Sequence, residues 1–338
     1  MFLSTSLFVL PGALEAQFAD LDHFGARAAA MGGAFTAVAD DTSAFHWNPA
    51  GYAFGPAAHG SFHWGESRSD RGGLVGSLGS STRAEDSLLL TDSDYGFAVG
   101  LTFMGVAGSF SSQTASSLEG ELLSSDGLRT FDLSFSILQS LPVDDLVVAA
   151  NVHYLRGETF ALVEPVAEIP QAGRSPSSIA DRVFEGPGVT SSTGTLDVAA
   201  LYEPSSWLRV GIMWRRLIEP GFATSSGGEL VLPRQARAGV AFALPREALL
   251  SLDLDLSSQG GPEEHWREIS FGAEKQFFDE ALALRAGVRA ETGSGRGARP
   301  AFSVGAGGRL RFLLFEVAYT SAPDERDRAL WVAVSVTP

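Results

Sequence analysis

The sequence predicts an all-β fold: a membrane β-barrel of about 14 antiparallel strands with a small N-terminal hatch inside the lumen. Three observations predict it. From about residue 58 onward apolar and polar residues alternate with period 2, as in Phe131, Leu133, Phe135 and Ile137 against Asp132, Ser134 and Ser136. The links between such runs alternate between short and long, which puts tight turns on one rim and longer loops on the other. No later stretch approaches the ~20 apolar residues of a membrane helix, so a membrane would be crossed by strands. A soluble sandwich shares the alternation. It has no reason to keep the link parity.

The elements follow in order. Residues 1–16, "MFLSTSLFVLPGALEA", have the apolar run, Pro-Gly break and small residues of a secretory signal, although the first positive charge is Arg27. Residues 17–57 read as the hatch and 58–338 as the barrel. Strands are expected over about 58–65, 72–80, 95–112, 129–140, 145–155, 195–203, 207–217, 235–244, 248–257, 267–276, 281–291, 301–310, 312–320 and 328–337. Short links such as "LPVDD", "EPSSW", "LPRE" and "FFDE" alternate with the longer 156–194, 218–234, "SSQGGPEEHW" and "TGSGRGARP". With an even strand count, that parity places both termini on the short-turn, periplasmic rim. Tyr202 and Trp207 flank one short turn while Trp64, Tyr154 and Trp266 lie toward the other rim, as interfacial girdles require. In 250–256 the alternation turns Leu252 and Leu254 to lipid and Asp253 and Asp255 to the lumen. Segment 156–194 mixes Phe160, Leu162, Val163, Val166, Ile169, Ile179, Val183 and Phe184 with Pro and Gly. It is expected to be extracellular and to carry ligand contacts.

Composition excludes several functions. A formal net charge of -16 argues against a nucleic-acid partner. The absence of cysteine removes disulfides, a thiol nucleophile, Cys-ligated zinc and a lipoprotein anchor. His59 and His63 share a strand face with no third ligand near in sequence, so they read as girdle or lumen residues and not as metal ligands. No G-x-S-x-G, P-loop or H-E-x-x-H pattern occurs, and "GAGG" at 305–308 lies within a strand pattern. The expectation is a protein without catalytic residues, cofactor or metal.

The stretch "GARAAAMGGAFTAVADDTSAFHWNPAGYA", residues 25–53, is too small-sided for a packed helix and too apolar for a loop. It suits a segment folded into a narrow space, since a barrel of this size leaves a lumen its own side chains cannot fill. Gly32, Gly33 and the neighbouring alanines allow close approach to a wall. Asp40, Asp41, Thr42 and Ser43 are capping types for a short helix over 43–47, which Asn48-Pro49 ends. This stretch resembles the N-terminal hatch of the FadL superfamily of outer-membrane proteins. It is most similar to the PorV-like branch, with its G-A-R, M-G-G-A-F-T-A-x-A-D-D and W-N-P-A-G pattern, and "EPGFATSSGGELVLPRQARAGVAF" resembles that branch more weakly. The resemblance implies a fourteen-stranded barrel in the bacterial outer membrane, with Phe35, Asp40, Asp41, Trp47, Asn48, Pro49 and Ala50 as hatch or ligand-site residues.

Two functions remain open. A FadL-type barrel would pass hydrophobic, fatty-acid-like molecules across the outer membrane, with the lipid bilayer and a hydrophobic small molecule as partners. A PorV-like scaffold or shuttle would instead work with the proteins of a type IX-like secretion system. In "YGFAVGLTFMGVAGSFSS", residues 95–112, the apolar phase is odd through Phe103 and even at Val106 and Phe110. An extra residue at a bulge would explain the flip, with Gly105 and Gly108 supplying backbone freedom. The FadL resemblance implies an inward kink there, opening a sideways exit through the wall.

Overall fold

The computed structural model describes residues 24–71, 73–78, 87–258, 266–293, 296–322 and 327–337. The expected signal, 1–16, and the start of the expected hatch, 17–23, lie outside them. A first short helix, α1 (Ala26–Ala30), is followed by α2 (Ala44–Trp47) and a 3-10 turn (Pro49–Phe54). Then come β1 (Ala58–Arg71), α3 (Leu74–Ser77), β2 (Leu88–Leu101), β3 (Met104–Glu119), β4 (Leu122–Ser140) and β5 (Leu146–Pro165). Helix α4 (Pro176–Val183) lies in the link to β6 (Val189–Ser205) and β7 (Leu208–Arg215). The chain continues through β8 (Gly221–Ala223), β9 (Glu229–Val231), β10 (Gln235–Leu244), β11 (Ala248–Asp255) and β12 (Trp266–Phe277). It finishes with β13 (Leu282–Gly293), β14 (Arg296–Leu310), β15 (Leu313–Ser321) and β16 (Asp327–Val336).

Fourteen of these strands close into an antiparallel barrel, with β1 paired to both β2 and β16; β8 and β9 form a separate hairpin. Closure leaves no unpaired edge, the condition for strands in lipid. Alternation sets the two faces. Outward side chains such as Val152, Val304 and Leu252 are 58%, 58% and 44% exposed, while Asp253 beside Leu252 is 1% exposed. A wet side chain has no reason to prefer this arrangement: the apolar face is outside and the carboxylates are inside, which is the inversion that a membrane barrel shows. No described helix is long and apolar enough to cross a membrane.

On one rim the connections are tight, as at 102–103, 206–207 and 311–312, and the ends of β1 and β16 lie on this rim too. The opposite rim carries the longer connections, including 166–188 and 216–234. Outward aromatics mark where the apolar band ends toward it. Trp64, Tyr95, Phe110 and Phe131 are successive cross-strand partners, with ring centroids 5.1 Å apart for Tyr95–Phe110 and 4.8 Å for Phe110–Phe131.

Three expected elements are corrected. Residues 72–80 hold no strand among those described; Leu74–Ser77 is helical. The expected single strand 95–112 is two strands joined by a two-residue turn, Thr102–Phe103. In that hairpin Val99 pairs with Val106 and Tyr95 with Phe110, so every odd residue faces the same side as an even partner. The phase flip is therefore a turn and not a bulge. The expected kink at Gly105 and Gly108 is contradicted as well: β3 pairs continuously with β2 and with β4 from Met104 onward. Gly108 faces outward under the Phe97 ring, and its backbone stays in the ladder. Finally, much of 156–194 is strand, because β5 runs to Pro165 and β6 begins at Val189.

Candidate functional site

The segment Phe24–Phe54 lies inside the barrel against the short-turn half of the wall. Its apolar side chains, including Phe24, Met31, Phe35, Phe45, Trp47 and Tyr52, are buried and form one cluster with wall residues such as Ala98, Ala107, Val147 and Leu201. The wall makes room by omitting side chains. A Cβ on Gly287 would fall on the backbone of Met31 and Gly32, and one on Gly211 would fall on the Thr36 carbonyl. Gly100 and Gly105 would each place a Cβ 2.5 Å from the Tyr52 ring. Gly105 is thus a seat for an aromatic side chain.

Polar anchors complete the fit. The Asp253 carboxylate on β11 accepts the backbone N–H groups of Phe35 at 3.0 Å and Thr36 at 2.8 Å. Arg27 donates to Glu274 on β12 at 2.8 and 3.0 Å and to Asp40 at 2.6 Å. Burial opposes the charge of Arg27, but Glu274, Asp40 and Asp41 outweigh it and hold the guanidinium pKa well above its usual value. Asp40 also pairs with Arg209 on β7 at 3.0 Å. Asp41 works locally, accepting from the Ser43 N–H at 2.8 Å just before α2. The Asn48 amide donates to the carbonyls of Thr36 at 2.9 Å and of Ala200 on β6 at 3.1 Å, while its oxygen accepts from Ala50 N–H at 3.1 Å. Pro49 opens the 3-10 turn, where it has no N–H to leave unpaired. Trp47 donates its indole N–H to the Phe24 carbonyl at 2.7 Å, and Arg237 of β10 lies 5.7 Å over its ring. Ala50 is fully buried, as is Tyr52, whose phenol burial pushes up in pKa.

The structure therefore brings Phe35, Asp40, Asp41, Trp47, Asn48, Pro49 and Ala50 together. Gly105 joins them as part of the wall; Gly108, on the outer face, does not. Sequence reasoning missed Arg27 and the wall residues Asp253, Glu274 and Asn151, which donates to the Phe45 carbonyl. Asn151 and Glu274 are lumen-facing polar residues in the half of a strand nearest the short turn, whereas Asp253 lies toward the far end of β11 and Arg27 in the segment itself, so no single sequence signal marks all four.

Above this segment lies a cavity of about 110 Å³. Phe24, Phe45 and His46 form its floor, and Leu128, Leu155 and Leu232 lie toward the long-loop rim. Its sides are polar. His153 sits between two carboxylates, Nδ1 at 3.0 Å from Asp132 and Nε2 at 2.9 Å from Asp197. Both ring nitrogens face carboxylates and neither is directed at a hydroxyl, so His153 is not set beside a nucleophile as a hydrolytic base would be. Among the described residues no group of His, Asp and Glu has the geometry of a metal site. The β8–β9 hairpin closes the cavity from the other side: Phe222 is fully buried and occupies the space over Gly157 on the inner wall, in a cluster with Leu90, Leu128, Leu155 and Leu230.

No family model and no curated protein matches this sequence. Solved structures do share its fold. A Pseudomonas aeruginosa FadL homologue is similar with a TM-score of 0.64 at 13% identity, over 93% of this chain and 98% of that one. The Ralstonia pickettii toluene transporter TbuX gives 0.64 at 13% identity over 94% and 99% of the two chains. The P. putida toluene transporter TodX gives 0.62 at 13% identity, again over 94% and 99%. At that identity the likeness establishes the fold, a FadL-like closed barrel of fourteen strands.

Proposed function

We propose that this protein is a bacterial outer-membrane barrel that passes small hydrophobic molecules inward through its lumen, with the N-terminal segment as the hatch that closes it. The observation that carries the reading is the division of the lumen. A compact segment fills the half nearest the short turns, a hairpin enters from the other rim, and a cavity with an aromatic floor lies between them. An obligate water-filled pore has no use for two inserts, whereas a gated path for scarce apolar molecules does. The fold it shares with two toluene transporters supports the same class of cargo. Fatty-acid-like molecules and single-ring hydrocarbons both belong to that class. Because β2, β3 and β4 pair without a break, the route runs past the hatch to the periplasm and not sideways at Gly105.

Uptake tests the reading. Cells expressing the chain should take up labelled toluene or a labelled medium-chain fatty acid faster than cells without it. Equal rates for both probes would contradict transport.

A second reading has one observation in its favour. The unbroken wall and tightly anchored hatch suit a PorV-like scaffold that displays its long-loop rim to secretion-system proteins. Capture of such proteins from the native membrane, together with unchanged uptake, would select it.

A further inference from the structure

Helix α4 lies on the outside of the barrel. Gly127 of β4 faces outward with Leu133 and Phe135, and a Cβ there would meet Val183 and Phe184. Ile179 packs with Leu89, Leu118 and Leu123, which share the outward parity of Tyr95, Phe110 and Phe131 on their own strands. From Phe131 β4 runs on to Leu122, on the order of 25–30 Å of strand beyond the aromatic row. The helix covers that projecting part. Between it and the outer faces of β1 to β4 remains a groove of about 690 Å³.

Its chemistry is mixed in a particular way. Arg68 and Arg129 are both exposed on the outer face, and among the described residues neither has a carboxylate partner. Arg129 is stacked, its guanidinium carbon 4.1 Å from the Phe184 ring centre and 5.4 Å from that of Phe160. Stacking fixes the plane and leaves the N–H edge for an anion. Glu66 and Asp181 line the same groove, with the hydroxyls of Ser93 and Ser112 between, and Leu330 and Tyr319 continue its floor onto the lipid-facing surface. Arg328, the cross-strand neighbour of Arg68, lines the groove as well, so that cations, carboxylates and hydroxyls at the end of an apolar face form a site with amphipathic complementarity.

We infer that this groove holds the head group of an outer-leaflet lipid that carries both phosphate and hydrogen-bond donors, the chemistry of a phosphorylated amino-sugar lipid. The arginines take the phosphate, Glu66 and Asp181 take hydroxyl or amine protons, and the acyl chains run down the outer wall past the aromatic row. Charge-assisted bonds to phosphate are the strong component. This goes beyond transport, but it rests on the orientation that puts the long loops outside. A free phosphate would explain the arginines and leave the continuous apolar floor without a purpose.

The test uses the full chain in uncharged detergent and native mass spectrometry, with three probes: lipid A, enzymatically dephosphorylated lipid A, and inorganic phosphate. Lipid A should be retained about tenfold better than its dephosphorylated form, and the Arg68→Gln/Arg129→Gln double variant should lose that margin. Equal retention of the two lipids by the unaltered protein would overturn the proposal, and needs no variant to assemble. So would full retention by the double variant, or displacement of the lipid by millimolar inorganic phosphate, which would mark a phosphate site without lipid.

Discussion

At the scale of single residues, the lumen is decided by absences and by carboxylates. Gly287 has no side chain where one would fall on the backbone of Met31 and Gly32, and backbone cannot rotate away. Gly287→Val should loosen the N-terminal segment at a cost of roughly 1–3 kcal/mol, read as a lower melting temperature and faster proteolysis of 24–54. Gly308→Val is the control, since a Cβ there meets nothing within 4 Å; it should change neither. Asp253 gives a second case. Alternation correctly turns it to the lumen, but it is not a spare carboxylate. It accepts two buried N–H groups. Asp253→Ala should cost about 1–3 kcal/mol for each donor left unpaired, while Asp253→Asn, which keeps an acceptor oxygen, should cost less; thermal melts of the folded barrel compare them. Which lumen carboxylate meets the segment depends on where its loops settle, and no local pattern encodes that.

Strands, turns and inserts behave according to how local their signal is. β11 was legible because four leucines alternate with polar residues, and its register agrees: Leu252 is exposed and Asp253 buried. Leu252→Arg should impair assembly by roughly 2–4 kcal/mol near the bilayer midplane, measured as the fraction of chain that reaches the heat-modifiable folded form. The β2–β3 hairpin was misread because its turn, Thr102–Phe103, holds neither Gly, Pro, Asn nor Asp, the residues that announce a turn. Its flip of apolar phase is as much a hairpin signature as a bulge signature, and only the partner strands distinguish them. The β8–β9 hairpin was hidden inside what read as a long loop, since three-residue strands have too little period to detect. Removing residues 221–231 should enlarge the outer vestibule and leave conductance low, because the N-terminal segment still fills the other half. Conductance rising to that of an open pore would show that the hairpin is the seal.

For the whole molecule, the strand count expected from the sequence agrees with the fourteen observed, but through two errors that cancel. One strand was placed over 72–80, where α3 lies, and one was lost by fusing β2 with β3. Link parity was robust to this because most other turns were bounded correctly, so both ends of the barrel still fall on one rim. The fold was legible because a membrane barrel writes its two faces along every strand. The candidate site was legible only in the segment 24–54, whose density of small residues reports a confined space. Its wall partners are scattered across the chain, Gly211 and Glu274 among them, and closure alone brings them together.

Planar-bilayer conductance of the full chain, compared with a variant lacking residues 25–51, tests most directly whether that segment closes the lumen. The wall pairs continuously around all fourteen strands, so any current must pass through the interior. The expected result is a low, quiet conductance for the full chain and a large, steady pore for the variant, with both proteins folded by heat-modifiable mobility. Equal low conductance would contradict closure by the N-terminal segment and assign the seal to other parts of the lumen.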